Sequence, residues 1–335
     1  MVQLIKALRA KQAGPLSEVL YIDEIPKPTP GEGQVLIRVR ATAVNPLDWK
    51  QAQHGLFVQS WPHPLGYDIS GVVEEVGAGV AGIAVGDEVY SGTTGGFAEY
   101  NLAPASKVYK KPASLSFEEA TTIPVGVATA VAALFTEKGL GLHQLKEAHN
   151  FETPEWVLVT GGATSVGVFA IQLAARAGYK VVVTASKKNE EYVKSLGASA
   201  SIDYTLPTET QLATIKNLTS NSLRYAIDLV DGRETSDLAI AALNHSLNPT
   251  LINLAYFGPQ DVPEGVNARG LSGGDPSIQD EVRKIRVEQV VPLLESGELK
   301  VNKVHRLEGG LEGLKEGLKI SAEGRVSGAK LVASL

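Results

Sequence analysis

Two textures of hydrophobic and polar spacing divide the chain. Up to about residue 110, apolar and polar side chains alternate in short runs cut by Gly and Pro. Gln34 to Val44 and Gly71 to Gly77 follow this pattern, and Gly86-Asp87-Glu88-Val89-Tyr90 reads as a turn entering a further strand. Period-two alternation places one side of each strand in a core, so this region predicts a curled, mostly antiparallel β domain. From residue 117 the spacing becomes helical to residue 138, with Pro124 bending or interrupting the helix. Strands then alternate with amphipathic helices. The strands are 156–160, 180–184, 201–203, 225–230 and 250–255; the helices are 166–177, 190–196, 209–219 and 234–243. Such alternation predicts an α/β, doubly wound parallel sheet. The Gly- and Pro-rich segment 258–275 is expected to leave the sheet, and one long helix covers 278–296. The tail reads β, α, β over 299–305, 310–320 and 328–332, and is expected to return to the first domain. The expected domains are therefore 1–122 with 277–335, and 123–276. Residues 139–155 look like an insertion to which the sequence assigns no function.

The most informative local signal lies at the first strand of the second region. Val157-Leu158-Val159-Thr160 runs into Gly161-Gly162-Ala163-Thr164-Ser165-Val166-Gly167, and an amphipathic helix starts at once. A helix N-terminus has backbone N–H groups without intrahelical partners, and its dipole adds positive potential, so a pyrophosphate is accommodated there. Read as G-x-G-x-x-G, the chain offers Gly162, Thr164 and Gly167, with threonine at the middle glycine. The signal is either a dinucleotide-binding turn or an ordinary strand-to-helix turn. The next strand, Lys180-Val181-Val182-Val183-Thr184, ends in Ala185-Ser186-Lys187-Lys188-Asn189. An NAD site carries Asp or Glu at this point for the ribose 2′-hydroxyl. Here a hydroxyl and two ammonium groups stand instead, suited to a 2′-phosphate through charge-assisted bonds. NADP(H) is therefore expected over NAD(H). The competing reading makes both lysines solvated surface residues. Glu190 and Glu191 follow, as first-turn helix residues able to point away.

Composition narrows the function classes. The chain has 335 residues, 44% hydrophobic and 20% charged, with a net charge of −6. That suits about two ordinary globular domains. No basic stripe supports nucleic-acid binding. No apolar run reaches transmembrane length and the N-terminus enters a strand pattern, so a cytoplasmic protein without membrane contact is expected. There is no cysteine, hence no disulfide, thiol nucleophile or Cys-ligated zinc. The six histidines form no H-x-x-x-H pair, and His54 and His63 lack companions at ligand spacing, so no metal is expected.

A set of phrases then carries a resemblance over nearly the whole chain. They are Ala43-Val44-Asn45-Pro46-Leu47-Asp48-Trp49-Lys50, Pro64-Leu65-Gly66-Tyr67-Asp68-Ile69-Ser70-Gly71, Val85-Gly86-Asp87-Glu88-Val89, Gly95-Gly96-Phe97-Ala98-Glu99-Tyr100 and Gly324-Arg325-Val326-Ser327-Gly328-Ala329-Lys330-Leu331-Val332. In this order they resemble the medium-chain dehydrogenase/reductase superfamily: a GroES-like β-rich catalytic domain with an inserted Rossmann domain. The branch is similar to the zinc-free quinone oxidoreductases and enoyl reductases, closest to fungal trans-acting enoyl reductases and toxin-cluster-type proteins. Zinc members carry a Cys near Asn45 and Gly-His-Glu where this chain has Gly66-Tyr67-Asp68. Without those ligands a substrate alcohol is not acidified, and reduction of an already polarised acceptor is favoured.

The resemblance implies an NADPH-dependent oxidoreductase that transfers hydride to an activated C=C, as in an α,β-unsaturated carbonyl, or to a quinone. The alternatives are a trans-acting enoyl reductase of a polyketide synthase, with a carrier-protein partner, and a low-turnover NADPH-binding structural or sensor protein, as among relatives recruited as lens crystallins. Lys50 is the first candidate donor to the developing oxyanion, against a surface lysine. Asn45 is placed near the nicotinamide or substrate, or in a plain turn. Thr129 is placed near the nicotinamide ribose, or bonds its own helix backbone. Tyr67 lines the pocket or packs in the barrel, and Asp48 caps or pairs structurally. For the cofactor, the resemblance implies Thr164, Ser165 and Val166 at the pyrophosphate and Ser186, Lys187 and Tyr204 at the adenosine phosphate, with Tyr204 otherwise a core residue. It also implies Leu254, Ala255 and Phe257 at the carboxamide, and Lys330 as a further contact, whereas by sequence alone Lys330 reads as a surface lysine. The substrate is a small molecule. Homodimer and monomer both occur among such proteins.

Overall fold

The computed structural model describes residues 2–145, 151–230, 232–254 and 262–335. The chain forms two compact units, Met1–Val125 with Val301–Leu335, and Gly126–Lys300.

The first unit is built on a seven-stranded sheet. Its path runs Val304–Leu307, Lys330–Ser334, Gln34–Ala43, Asp68–Val76, Glu88–Gly92, Val108–Lys110, and Tyr100–Pro104 also pairs with Gln34–Ala43. Register shifts at Leu36/Ile37 and Val39/Ala41 mark bulges that bend the long central strand. A smaller sheet of Leu20–Pro26, Leu4–Ala10 and His63–Pro64 lies beside a core of Leu8, Leu65, Phe97, Leu314 and Leu318. Gly66 adopts φ +89°, and a Cβ there would meet the Phe97 ring at 2.4 Å, so only glycine lets the chain turn over that ring. The C-terminal strand does return to this unit, with Val332 opposite Ala43.

The second unit is a six-stranded parallel sheet in the order Ala200–Asp203, Lys180–Ala185, Trp156–Thr160, Tyr225–Asp228, Thr250–Asn253, Asn267–Gly270. This is the doubly wound order of two mononucleotide-binding halves. Inner strands such as Val181-Val182-Val183 are wholly buried, as parallel strands covered on both faces must be.

Four sequence expectations need correction. The segment 258–275 does not simply leave the sheet, because Asn267–Gly270 forms its sixth strand. Its composition, Asn-Ala-Arg-Gly, lacks the β-branched run of a buried strand because it pairs on one side only. Residues 277–300 belong with the parallel-sheet unit, where Val282, Ile285, Val290 and Leu294 are buried. Gln172 joins them there, exchanging hydrogen bonds of 2.9 and 2.8 Å with the Lys300 backbone. The single helix expected over 278–296 is Gln279–Ile285, a π-turn Arg286–Val290 and Val291–Glu295. Pro292 has no N–H for the carbonyl one turn back, so the regular ladder breaks there. Finally, Phe117–Phe135 is long and apolar enough by composition to cross a membrane, although 67% of its apolar window is buried. The interruption expected at Pro124 is there: the segment is two helices, Phe117–Ala120 and Pro124–Phe135, and Pro124 starts the second.

Candidate functional site

In the parallel-sheet unit, chemistry gathers at the carboxyl ends of the strands, as open α/β sheets arrange it. Thr160 ends its strand and Gly161 turns with φ +73°. The Gly161 N–H donates to Thr184 Oγ1 at 3.0 Å and the Gly162 N–H to the Thr184 carbonyl at 2.9 Å. Thr164 caps the helix Ser165–Arg176, its hydroxyl accepting the Gly167 N–H at 3.1 Å. That hydroxyl keeps its own proton to donate. Ser165 and Val166 open the first helical turn, whose N–H groups meet no intrahelical carbonyl. A Cβ at Gly167 would stand 2.6 Å from the carbonyl oxygens of both Gly161 and Gly162. The helix thus packs directly on its turn, and the cradle fits a pyrophosphate.

At the next strand end, Ser186 precedes the short turn Lys187–Asn189 and its hydroxyl accepts Asn189 Nδ2 at 3.1 Å. Lys187 is exposed and pairs with Glu190, which also holds Lys194 at 2.8 Å. These hydrogen bonds, Lys187 first, pull the Glu190 carboxyl down to about 2. Glu190 therefore does not point away from Lys187. Tyr204 is 56% exposed beside the same strand end. The Leu254 N–H donates to the Asp228 carbonyl at 3.0 Å, while Ala255 and Phe257 lie outside the described residues. Thr129 sits half-buried on Pro124–Phe135, and a Cβ at Gly273 would come 2.5 Å from its hydroxyl.

Asp228 escaped the sequence reading. Its side chain is fully buried, and its carboxylate accepts five bonds: Thr160 Oγ1 at 2.6 Å, the Val230 N–H at 3.1, Thr235 Oγ1 at 3.0, Ser236 Oγ at 2.7 and Asn253 Nδ2 at 3.2. It ties the ends of three strands and the start of the Arg233–Ala242 helix together. The available signal was one acidic residue closing an otherwise buried strand.

In the β-rich unit a second cluster forms. Lys330, assigned by the resemblance to the cofactor, is 2% exposed. Its ammonium lies 2.9 Å from Asp68 Oδ2 and donates to Asn45 Oδ1 at 2.6 Å. The structure makes it an internal counter-ion, because an ammonium in this interior needs a carboxylate partner. Asn45 also donates through Nδ2 to Asp68 at 2.9 Å, so both ends of its amide are engaged within the protein. Asp68 Oδ1 accepts the Val125 N–H at 2.8 Å, and Thr42 donates to the Asp68 carbonyl at 2.8 Å. Asp48 caps the helix Pro46–His54 through a 2.7 Å bond from the Asn45 N–H. Burial pushes its carboxyl up to about 7, the Asn45 bond opposes this, and Asp68 adds to the rise. Lys50 is half-buried, with its ammonium 5.8 Å from the centre of the Trp49 ring. Tyr67 is half-buried and its hydroxyl accepts Gln51 Nε2 at 3.2 Å.

These donors do not suit zinc. The chain has no thiol, both Asp68 oxygens are occupied by Lys330, Asn45 and a backbone amide, and Tyr67 is bound to Gln51.

Comparison with known proteins agrees with the architecture. Residues 31–113 match the alcohol dehydrogenase GroES-like domain, and residues 165–267 match the domain described as zinc-binding dehydrogenase. The enoyl reductase component lovC of the lovastatin nonaketide synthase of Aspergillus terreus is 32% identical over 351 residues, 95% of this chain and 93% of the relative. The trans-enoyl reductase ACTTS2 of Alternaria alternata is 33% identical over 342 residues, covering 93% of this chain and 95% of the relative. The solved structure of a mycobacterial quinone oxidoreductase superposes with a TM-score of 0.76 at 25% identity, covering 99% of this chain and 100% of that one. Fold, domain matches and full-length relatives lead to one conclusion: the chain belongs to the medium-chain dehydrogenase/reductase superfamily and is an oxidoreductase.

Proposed function

We propose that the protein is a zinc-independent, NADPH-dependent cytoplasmic reductase that transfers hydride to an activated C=C, as in an α,β-unsaturated carbonyl, or to a quinone. The observation that carries this reading is the Asn45–Asp68–Lys330 network, which fills with hydrogen bonds and an internal cation the positions where zinc relatives place ligands. An alcohol gains no Lewis acid from these residues, whereas a conjugated acceptor is polarised already. When bound, the reduced nicotinamide supplies the hydride.

The protein's own groups orient, bind and stabilise charge. The Thr164–Val166 turn receives the pyrophosphate through first-turn amides and the Thr164 hydroxyl. Ser186 and Lys187 receive the 2′-phosphate, with Tyr204 beside them. Leu254 offers backbone to the carboxamide, and Thr129 lies at the nicotinamide ribose. As hydride arrives, negative charge develops on the acceptor oxygen. Tyr67 and Lys50 are the groups to donate to it. Asn45 holds the surrounding scaffold.

The test is absorbance at the reduced-nicotinamide band, with NADPH and NADH compared against a small enone, a 1,4-quinone and a crotonyl-type thioester. NADPH oxidation with enone or quinone is the expected result. A preference for NADH overturns the cofactor assignment, and activity on the thioester alone moves the acceptor to carrier-type substrates.

A further inference from the structure

Among the described residues of the β-rich unit, three buried side-chain oxygen atoms have no hydrogen-bond partner, Thr121 Oγ1, Asp48 Oδ1 and Gln51 Oε1, and the last two share one helix. Asp48 and Gln51 sit on the helix Pro46–His54, three positions apart, and side chains at that spacing share a face. Asp48 is 0% and Gln51 1% exposed. The remaining polar atoms of each are engaged. Asp48 Oδ2 accepts the Asn45 N–H at 2.7 Å, and Gln51 Nε2 donates to the Tyr67 hydroxyl at 3.2 Å. Buried acceptors without a donor are costly, and a proton carried by Asp48 would supply one to an acceptor on the same helix face.

We propose that Asp48 is a neutral carboxylic acid that donates to Gln51, and that Gln51 in turn fixes the Tyr67 hydroxyl so that its proton is free to donate. Asp48 and Gln51 are then positioning residues for Tyr67. The proposal rests on the reading of Tyr67 as a donor to the acceptor oxygen.

Charge balance points the same way. Lys330 and Asp68 neutralise one another at 2.9 Å, so an ionised Asp48 would be a second buried carboxylate with no cation of its own. Burial is the largest influence on the Asp48 carboxyl and, with the Asp68 charge, raises it to about 7 against the Asn45 N–H, the Lys330 charge and the Gly66 N–H, which all lower it. The helix Leu311–Ala322 packs on this helix with Leu314 and Leu318, while its charged Glu312, Lys315, Glu316 and Lys319 lie exposed or half-buried. Leu16–Val19 contributes buried Val19 and keeps Glu18 exposed, and on the same helix Lys50 is half-buried and His54 exposed. Direction follows from donor chemistry. The Gln51 amide N–H donates to Tyr67, so the phenol accepts and keeps its own O–H for another partner.

The experiment combines infrared difference spectroscopy with pH-rate profiles on the full-length protein. The wild type is expected to show the carbonyl band of a protonated carboxyl below neutrality, lost above about pH 8 and absent from Asp48→Asn. An asparagine amide donates to Gln51 at every pH, so Asp48→Asn should keep a level kcat where the wild type declines on the alkaline side. Gln51→Leu, close in size, should lower kcat about tenfold with KM little changed, and Tyr67→Phe should do the same. Absence of the band in the wild type overturns the proposal without any variant. So does an alkaline decline that persists in Asp48→Asn, or a Tyr67→Phe enzyme as active as the wild type. A band that behaves as expected in a protein silent on every acceptor leaves Asp48 neutral and overturns the reductase reading instead.

Discussion

Asp68 and Asp228 are both fully buried carboxylates at the ends of strands, and the two units satisfy them in opposite ways. Asp68 faces the Lys330 ammonium at 2.9 Å and shares Asn45 with it. Asp228 has five converging donors, and no cation pairs with it among the described residues. An ion pair neutralises charge between two points and ties one distant segment to another. A ring of hydroxyl and amide donors spreads the charge over several short segments and orders all of them. The first solution suits a domain whose C-terminal strand must be anchored to its middle. The second suits the carboxyl edge of a parallel sheet, where several strand ends and a helix start meet and must be ordered together.

The sharpest way to break the comparison is to remove the cation. Lys330→Met should leave Asp68 charged and buried alone, costing about 3–5 kcal/mol by chemical denaturation. Adding Asp68→Asn should restore much of that loss. A Lys330→Met protein as stable as the wild type would show that Asp68 does not depend on its counter-ion.

The next effect is a pH dependence in the same unit. The Asp48 carboxyl lies at about 7 when folded against 3.8 as its ordinary value. The folded state therefore holds a proton that the unfolded chain releases. This stabilisation is complete below about pH 4 and is lost as pH rises to about 7. Its size is a few kcal/mol. Asp48→Asn should remove that part of the pH–stability curve, so the difference between the two curves is the measurement.

For the second solution, Asp228→Asn replaces an acceptor oxygen with an amide donor facing Thr235, Ser236 and Asn253. A loss of roughly 1–3 kcal/mol is expected, with weaker NADPH binding measured by fluorescence titration. Unchanged binding in a destabilised protein would confine Asp228 to stability. The smallest effect belongs to the exposed pair. Lys187→Ala should weaken NADPH about tenfold and leave NADH unchanged. Glu190→Gln frees the Lys187 ammonium and should move NADPH affinity the other way.

Legibility in the sequence followed the range of the interactions. The strand–turn–helix at Gly161–Gly167 could be read because its parts are neighbours: the Thr164 cap acts on Gly167, and Gly167 packs against Gly161 and Gly162. The hydroxyl and ammonium groups of Ser186 and Lys187 at the next strand end are also near neighbours, but the pairing of Lys187 with Glu190 was not legible, since a helix rotation decides whether that carboxylate faces Lys187. Asn267–Gly270 was missed because an edge strand needs no continuous apolar run, and the helix break at Pro292 depended on one absent N–H.

Local order alone determined the alternation of strands and helices, the β-rich beginning and the glycine turn, because each rests on the period of a strand or helix and on steric demands within a few residues. Tertiary structure decided the rest. Lys330 and Asn45 stand 285 positions apart and meet only because the Lys330–Ser334 strand pairs beside Gln34–Ala43. A lysine near a chain end reads as solvated in any window of sequence. Burial turned it into a counter-ion, because an ammonium removed from water must find a carboxylate and the fold had placed Asp68 there.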